Sequence, residues 1–424
     1  MSFEEFVARS HAAGALVVQP RMGFGDPTAM RAGLAATRSA RAVTVGTLTL
    51  DSYTRVRDTA SAEHALRNGL PLNGYPIVNH PPEVTRGMLA GLMDADFPVQ
   101  VRHGSARPAD IFRAMIAAGL HATEGGPVSY CLPYSRTPLD EAVRNWAFCT
   151  DLLLAAEPEG GRPHVETFGG CMMGQLCPPS ELVALSVLEA LFFYRRGLRS
   201  ISVSYAQQTN MEQDQEAVSA LRGLCAELLP EATWHVVIYA YMGLFPRTEV
   251  GALSLLAGAA ELAVTTGSER LIVKTTAEAH RIPTVAENVA ALEHAHLAAR
   301  ATIHRATVAA DNQVYREAAA LVDAVLNCHE DLGRALVIAF KRGLLDVPFC
   351  LHPDNAGQAR SFLDAEGRLG WSELGSLPLR GVVEQRRQAA LTSSTLMSAL
   401  SHVQSTHDAL AFGDHETVAI GGQA

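Results

Sequence analysis

The sequence is nearly without lysine: Lys274 and Lys341 are the only two among its 34 basic residues. Positive charge is therefore almost all arginine, and acids outnumber it, giving a formal net charge of −10. A chain this acidic has no general electrostatic affinity for nucleic acid or for an anionic membrane. Long apolar runs are missing too; Ala-Leu-Ser-Leu-Leu-Ala-Gly-Ala-Ala (252–260) is too short to span a bilayer. The acidic start Met-Ser-Phe-Glu-Glu-Phe lacks the basic segment that opens a signal peptide. Seven cysteines, an odd number with no Cys-x-x-Cys, predict free thiols and a reducing, cytoplasmic setting. No Gly-x-Gly-x-x-Gly follows the first strand-like run, which argues against an open dinucleotide-binding sheet. The stretch from Gly169 to Gln175 lacks the Lys-Ser/Thr of a phosphate loop, and its methionines read as packing. There is no His-Glu-x-x-His, and His294 and His296 fall on different helix faces, so no metal-ligand set is expected.

What is present is a core. Hydrophobic residues make up 48% and charged residues 18%, a balance that excludes disorder. Short β-rich apolar runs alternate with Ala/Leu-rich helical stretches. The candidate strands are 15–20, 43–51, 75–79, 98–102, 121–124, 164–168, 200–205, 234–241 and 270–274. Helical stretches lie at 109–118, 141–156, 180–195, 213–229 and 250–263, with Asp140, Ser180 and Thr248 as N-caps. Such alternation predicts a (β/α)8 TIM barrel with a C-terminal α+β extension. Nine candidates compete for eight places, and 75–79 is the weakest. The expected division is an N-terminal segment (1–13), the barrel (14–300), and a helical and mixed region (301–424). Within the last, 301–340 reads as one or two long helices and 420–424 as a frayed end.

In a barrel, chemistry sits where strands end. Arg21, Arg55 and Arg102 each close a strand-like run, which places three guanidiniums on one rim. A guanidinium grips carboxylate or phosphate in a planar fork, so the trio predicts a small ligand with two or more acidic groups. Each could instead serve a structural ion pair; three together favour binding. Glu124 opens the loop Glu-Gly-Gly-Pro-Val-Ser-Tyr-Cys-Leu-Pro-Tyr (124–134), whose glycines would let backbone approach a ligand. Beside arginines Glu124 would stay ionised and could accept a proton from a substrate ammonium, or merely neutralise one guanidinium. His103 is the only histidine beside the arginines, and no cysteine has an obvious histidine partner. Lys274, ending Leu-Ile-Val-Lys, could pair with Glu278, donate to ligand hydroxyls, or form a Schiff base.

These residues occur in ordered blocks: Gln19-Pro20-Arg21, Asp51 to Arg55, Asn73 to Pro76, Arg102-His103-Gly104, Glu124 to Tyr134, Leu176 to Ser180, Asn210-Met211, Gly243 to Pro246, and Ile272 to Thr275 with Glu278. In this the chain resembles the large (epsilon) subunit of methylaspartate mutase, also called glutamate mutase. The resemblance implies an adenosylcobalamin-dependent radical isomerisation of L-glutamate to threo-3-methylaspartate inside the barrel. It implies that Arg21, Arg55 and Arg102 clamp two carboxylates, Glu124 binds the amino group and acts as base, and Tyr130 and Tyr134 hold carboxylate oxygens. Gly23, Asn73, Pro133, Phe245, Lys274, Glu278 and Ile282 would contact the cofactor. Cobalt's axial histidine would come from a small B12-binding (sigma) subunit, because no histidine here has Asp two positions before it. An assembly of two large and two small subunits is the corresponding expectation. Three positions depart from the pattern: Thr123 and Cys131 stand where Asn is expected, and Tyr239 where His is expected near the adenosyl pocket. The readings left beside this one are a related mutase on another acidic substrate, a cobalamin-independent dicarboxylate lyase or aldolase using Lys274, and a catalytically silent partner subunit.

Overall fold

A computed structural model describes residues 2–156, 162–172, 176–303, 308–383 and 392–413. Met173 and the 420–424 end, both interpreted above, lie outside the described residues. Eight strands form one parallel sheet: β1 Val17–Gln19, β2 Gly46–Thr49, β3 Val99–Arg102, β4 Ala122–Glu124, β5 His164–Glu166, β6 Ser200–Ala206, β7 Thr233–Tyr239 and β8 Arg270–Ile272. Their order is β1-β8-β7-β6-β5-β4-β3-β2, and a parallel bridge between Val18 and Thr44 joins the two ends. This is the expected TIM-type barrel. Every residue of β1, β3, β4, β5, β6 and β8 is buried, as parallel strands covered on both faces must be.

Eight of the nine candidate strands became strands. The ninth, 75–79, is a buried loop: Tyr75 forms one isolated bridge to Leu50 and its hydroxyl meets that of Thr85 at 2.9 Å. Its apolar side chains wedge into the core, which imitates a strand's composition without a ladder. Thr248 caps its helix by accepting from the Gly251 N–H. Asp140 and Ser180 are not caps, because Pro138 and Pro178 stand at the N-cap positions of helices Leu139–Ala155 and Pro179–Arg195.

The base of the barrel is closed by the N-terminal helix Phe3–Ala12, fixed by a Ser2/Glu5 capping box. Its first residues push upward. Phe3 stacks on His164 at 4.9 Å, and the Glu4 carboxylate accepts from His235 Nδ1 at 2.6 Å. Above the barrel's flank lie helices Gln313–Leu326 and Leu332–Arg342, then the antiparallel pair β9 Arg360–Leu363 and β10 Leu369–Glu373. The region 301–340 therefore holds two helices, and the small sheet supplies the expected α+β extension. The last helix, Ser393–Gly413, docks Val403 against Tyr241, Phe245, Ala252 and Leu255. Asp408 accepts there from the Arg247 and Thr248 N–H groups at 3.0 and 2.9 Å.

Candidate active site

Arg102 ends β3 and Glu124 ends β4, neighbours in the sheet, so their side chains leave adjacent strands at one level. Arg102 Nε donates to Glu124 Oε2 at 2.7 Å, with side-chain exposures of only 6% and 3%. Burial works against the Arg102 charge, but Glu124 and its neighbours outweigh that, and the guanidinium stays protonated. Tyr130 donates its hydroxyl to the other oxygen of Glu124. Burial and the Glu124 charge push that phenol well above its ordinary range, so it remains a donor.

The glycines ahead of Tyr130 serve packing, not a ligand. A Cβ on Gly125 would lie 2.4 Å from the Tyr130 ring and 2.7 Å from Trp146, in a backbone already at φ 121°. One on Gly126 would meet the Glu189 carboxylate at 2.0 Å. Glu189 organises the loop by accepting from the N–H groups of Val128 and Ser129 at 3.1 and 2.8 Å. The expectation of glycines opening the backbone to a ligand is thus corrected: the protein fills that space itself.

Beneath this pair lies a layer of which sequence reasoning singled out Tyr239 alone. The Tyr239 hydroxyl at the end of β7 is 2.7 Å from Glu124 Oε2, also contacts Glu166 Oε1, and receives Arg102 at 3.3 Å. Its ring carries the Arg102 guanidinium at 5.1 Å. Tyr239 therefore belongs with the glutamate and arginine, on the strand next to the one that leads to Lys274. Glu166 in turn accepts from Arg270, from Gln100 at 3.2 Å and from Ser202 at 3.3 Å. Arg270 Nε reaches His235 at 3.3 Å, which continues the polar column to Glu4. Glu4, His164 and His235 converge closely enough to hold an ion. Their atoms already have partners: Ser200 and Ser202 on His164, Glu4 and Arg270 on His235. Glu166 ends β5 as Glu124 ends β4, but the candidate strand 164–168 ran two residues past it, which hid it from the strand-end rule.

The remaining predicted residues divide along the rim. Arg21 follows β1 and lies 3.7 Å from Glu278. Lys274 does not pair with Glu278; its ammonium sits 5.1 Å above the Phe245 ring, and burial first, then Arg21, lowers its pKa to about 8. Arg55 is on a short helix, Ser52–Val56, and not on a strand end as expected, because Asp51 caps that helix directly after β2. Gly104, at φ 78°, leaves room for the Arg55 side chain, since a Cβ there would stand 2.9 Å from Arg55 Cδ. Tyr134, 42% exposed at the mouth, has its phenol raised by burial and drawn down by Arg21 and Arg55. The three arginines thus share one mouth, with Arg102 deep and the other two near Tyr134.

At the same rim Gly23 has no space for a side chain: a Cβ would lie 2.2 Å from the Thr49 carbonyl oxygen, and the buried Thr49 Oγ1 has no partner among the described residues. Asn73 is exposed and accepts from the Ser52 N–H at 2.9 Å. Pro133 lines a cavity of about 550 Å³ with Tyr134, Phe349 and Leu351. Ile282 is 63% exposed. His103 is buried and neutral, its pKa lowered to about 3 by burial and Arg102. It accepts the Ser105 N–H on Nδ1 at 3.0 Å, which puts its own proton on Nε2, an atom without a partner among the described residues. Thr123 donates to the Val101 carbonyl at 3.0 Å, a bond within the sheet. All seven cysteines are free. Cys131 does have a histidine neighbour, His352 at 3.9 Å, but burial pushes its thiol up to about 12, unsuited to a nucleophile.

The family model described as "Methylaspartate mutase E chain (MutE)" matches residues 1–403. The chain belongs to the methylaspartate mutase E-chain family. Among curated relatives, the glutamate mutase epsilon subunit of Halobacterium salinarum is 32% identical over 357 residues, covering 81% of this chain and 74% of its own. The subunit of that name from Yersinia enterocolitica is 31% identical over 349 residues, covering 78% of this chain and 72% of its own. That from Escherichia coli O157:H7 is 30% identical over the same length. Membership in the E-chain family is consistent with the order of the matched blocks, which follows the barrel strands around the mouth. No helix among the described residues is long and apolar enough to cross a membrane.

Proposed function

We propose that this E-chain protein is the catalytic large subunit of a glutamate mutase, isomerising L-glutamate to threo-3-methylaspartate. The observation that carries the reading is the buried Arg102–Glu124 pair at the C-terminal mouth of the barrel. It offers a cation for an amino acid's carboxylate and an anion for its ammonium, one beside the other. Arg102 keeps further N–H groups beyond the Nε committed to Glu124. Arg21 and Arg55 add a second carboxylate grip at the rim. Glu124 is the base that receives a proton from the ammonium, and Tyr130 holds it in place. Clamping both ends of a substrate keeps its fragments in register while a carbon–carbon bond breaks and reforms, and a closed barrel excludes water.

The rim residues fit a large, flat cofactor of the adenosylcobalamin kind. Gly23 presses bare backbone against Thr49, the unpartnered Thr49 hydroxyl stands beside it, and Lys274 and Glu278 offer a donor and an acceptor. Gly23, Asn73, Pro133, Phe245, Lys274, Glu278 and Ile282 would hold it. Such a cofactor supplies, when bound, a carbon-centred radical that abstracts hydrogen from the substrate. A small B12-binding subunit would supply the axial histidine, in a two-plus-two assembly. The proposed setting is cytoplasmic.

Mixing this chain with a cognate small subunit, adenosylcobalamin and L-glutamate tests the reading. Formation of 3-methylaspartate only with both proteins supports it; cobalamin binding without product redirects it to another acidic substrate. A second reading, a dicarboxylate lyase or aldolase, draws on Lys274, whose lowered pKa suits a Schiff-base amine. Borohydride trapping of a substrate adduct on Lys274 would favour it.

A further inference from the structure

The proposed reaction gives Glu166 no task, yet this carboxylate is fully buried at the end of β5 and meets the same hydroxyl as the proposed base. The Tyr239 hydroxyl has one proton and two carboxylate oxygens in reach, Glu124 Oε2 at 2.7 Å and Glu166 Oε1. It can donate to only one of them at a time, while Arg102 donates into its oxygen from 3.3 Å.

The two carboxylates have matched surroundings. Glu124 accepts one guanidinium nitrogen, from Arg102, and the neutral hydroxyl of Tyr130. Glu166 accepts one guanidinium nitrogen, from Arg270, and the neutral groups of Gln100 and Ser202. Each carboxylate thus faces one cation and at least one neutral donor besides Tyr239. The other titratable neighbour is the Cys171 thiol, which burial keeps protonated. Burial and the two carboxylates hold the Tyr239 phenol well above its ordinary range even against Arg102, so it passes protons without resting as phenolate.

We infer that Tyr239 is a proton relay joining Glu124 to Glu166, and that the proton withdrawn from a substrate ammonium is parked on Glu166. The inference rests on the amino-acid reading of the site. In the step, a substrate N–H bond breaks and an O–H bond forms on Glu124. That proton passes to the Tyr239 oxygen as the phenol's own proton passes to Glu166. The amine is then neutral, Glu124 and Tyr239 are restored, Glu166 is a carboxylic acid, and total charge is unchanged. The Tyr239 hydroxyl reaches both carboxylates, so the proton can return along the same path, as an isomerisation that must give it back to its amine requires.

Two measurements test this. On the ligand-free chain, infrared difference spectra read the carboxylates directly. Glu166→Gln and Tyr239→Phe should each shift the Glu124 carboxylate stretch, through the one hydroxyl the two carboxylates share. In the assembled holoenzyme, each substitution should lower kcat about 10²-fold, the scale of one acid–base contribution. KM should stay within about two-fold, and the double variant should be no worse than either single one, as expected for residues acting as a unit. A merely structural role would move KM and add. Should Glu166→Gln fail to fold with Arg270 left unpaired, Tyr239→Phe carries the same prediction alone. A Glu124 carboxylate stretch unchanged in both variants, or an unchanged kcat, overturns the relay. Wild-type holoenzyme that makes no 3-methylaspartate overturns the functional reading instead, and the ligand-free spectra still decide whether the two carboxylates share the Tyr239 hydroxyl.

Discussion

Glu278 pairs with Arg21 from the neighbouring strand's loop, at 3.7 Å, while Lys274 four residues before it stands over Phe245. The rim thus presents an ion pair from two different strands' loops and, beside it, a lysine with no carboxylate of its own among the described residues' ion pairs.

That isolation makes Lys274 a pH-sensitive contact. Its folded pKa of about 8 lies below the 10.5 of a free lysine, so between those values the unfolded chain binds the extra proton. Stability should accordingly rise with pH across that window, once the buried charge is relieved. Ligand binding that uses the ammonium should do the opposite and weaken as pH rises through about 8. Adenosylcobalamin affinity of the assembled protein, measured from neutral to alkaline pH, should show the fall, and Lys274→Arg should remove it because arginine stays charged.

Arg102→Ala should abolish product formation and also destabilise the chain, because it strands the Glu124 carboxylate in a buried site. Breaking a buried pair by deleting one partner costs about 3–5 kcal/mol. Denaturant unfolding should show that loss, and Arg102→Ala with Glu124→Gln should recover part of the stability with none of the activity.

Gly23→Ala places a Cβ 2.2 Å from the Thr49 carbonyl oxygen, backbone against backbone. Overpacking of this kind costs about 1–3 kcal/mol. The strand ends β1 and β2 should separate at the mouth, and cobalamin affinity should fall at least about ten-fold, the equivalent of about 1.4 kcal/mol. Retained affinity measured by titration would show that Gly23 lies outside the cofactor face.

At the base, burial raises the Glu4 pKa to about 7, with His164 and Arg270 pulling it back. Between 4.5 and about 7 the folded state therefore holds a proton that the unfolded chain has released. Glu4 contributes stability at low pH that is lost as pH rises through that window. The buried His235, lowered from 6.5 to about 3, contributes the opposite slope between those two values, so the Glu4 contribution is read from the difference with a Glu4 variant. The difference in unfolding free energy between wild type and Glu4→Gln should decline from pH 4.5 to about 7 and then level off; a flat difference would show that Glu4 does not titrate there.

The barrel was legible because buried parallel strands are written as continuous apolar runs, and the rim because a charge ending such a run has little reason to be there. The run at 75–79 misled for the same cause: Tyr75 and Ile77 are as buried as any strand residue but bond outward from a loop. Asp140 and Ser180 looked like caps because the prolines at 138 and 178 start those helices earlier than polar chemistry suggests. The interior column was not legible. Glu4, His235, Arg270, Glu166 and Tyr239 come from three strands and a helix, and only closure of the sheet stacks them. Neither was the use of Gly125 and Gly126, whose neighbours Tyr130 and Glu189 are brought there by the fold.

The helix Phe3–Ala12 turns the barrel into a cul-de-sac. With Phe3 and Glu4 stoppering one end, the doorway among the described residues for whatever is gripped at Arg102 and Glu124 is the one at the strands' C-terminal ends. Any large molecule seated on that doorway is therefore also a door: the small ligand goes in before it closes, and the product waits until it opens.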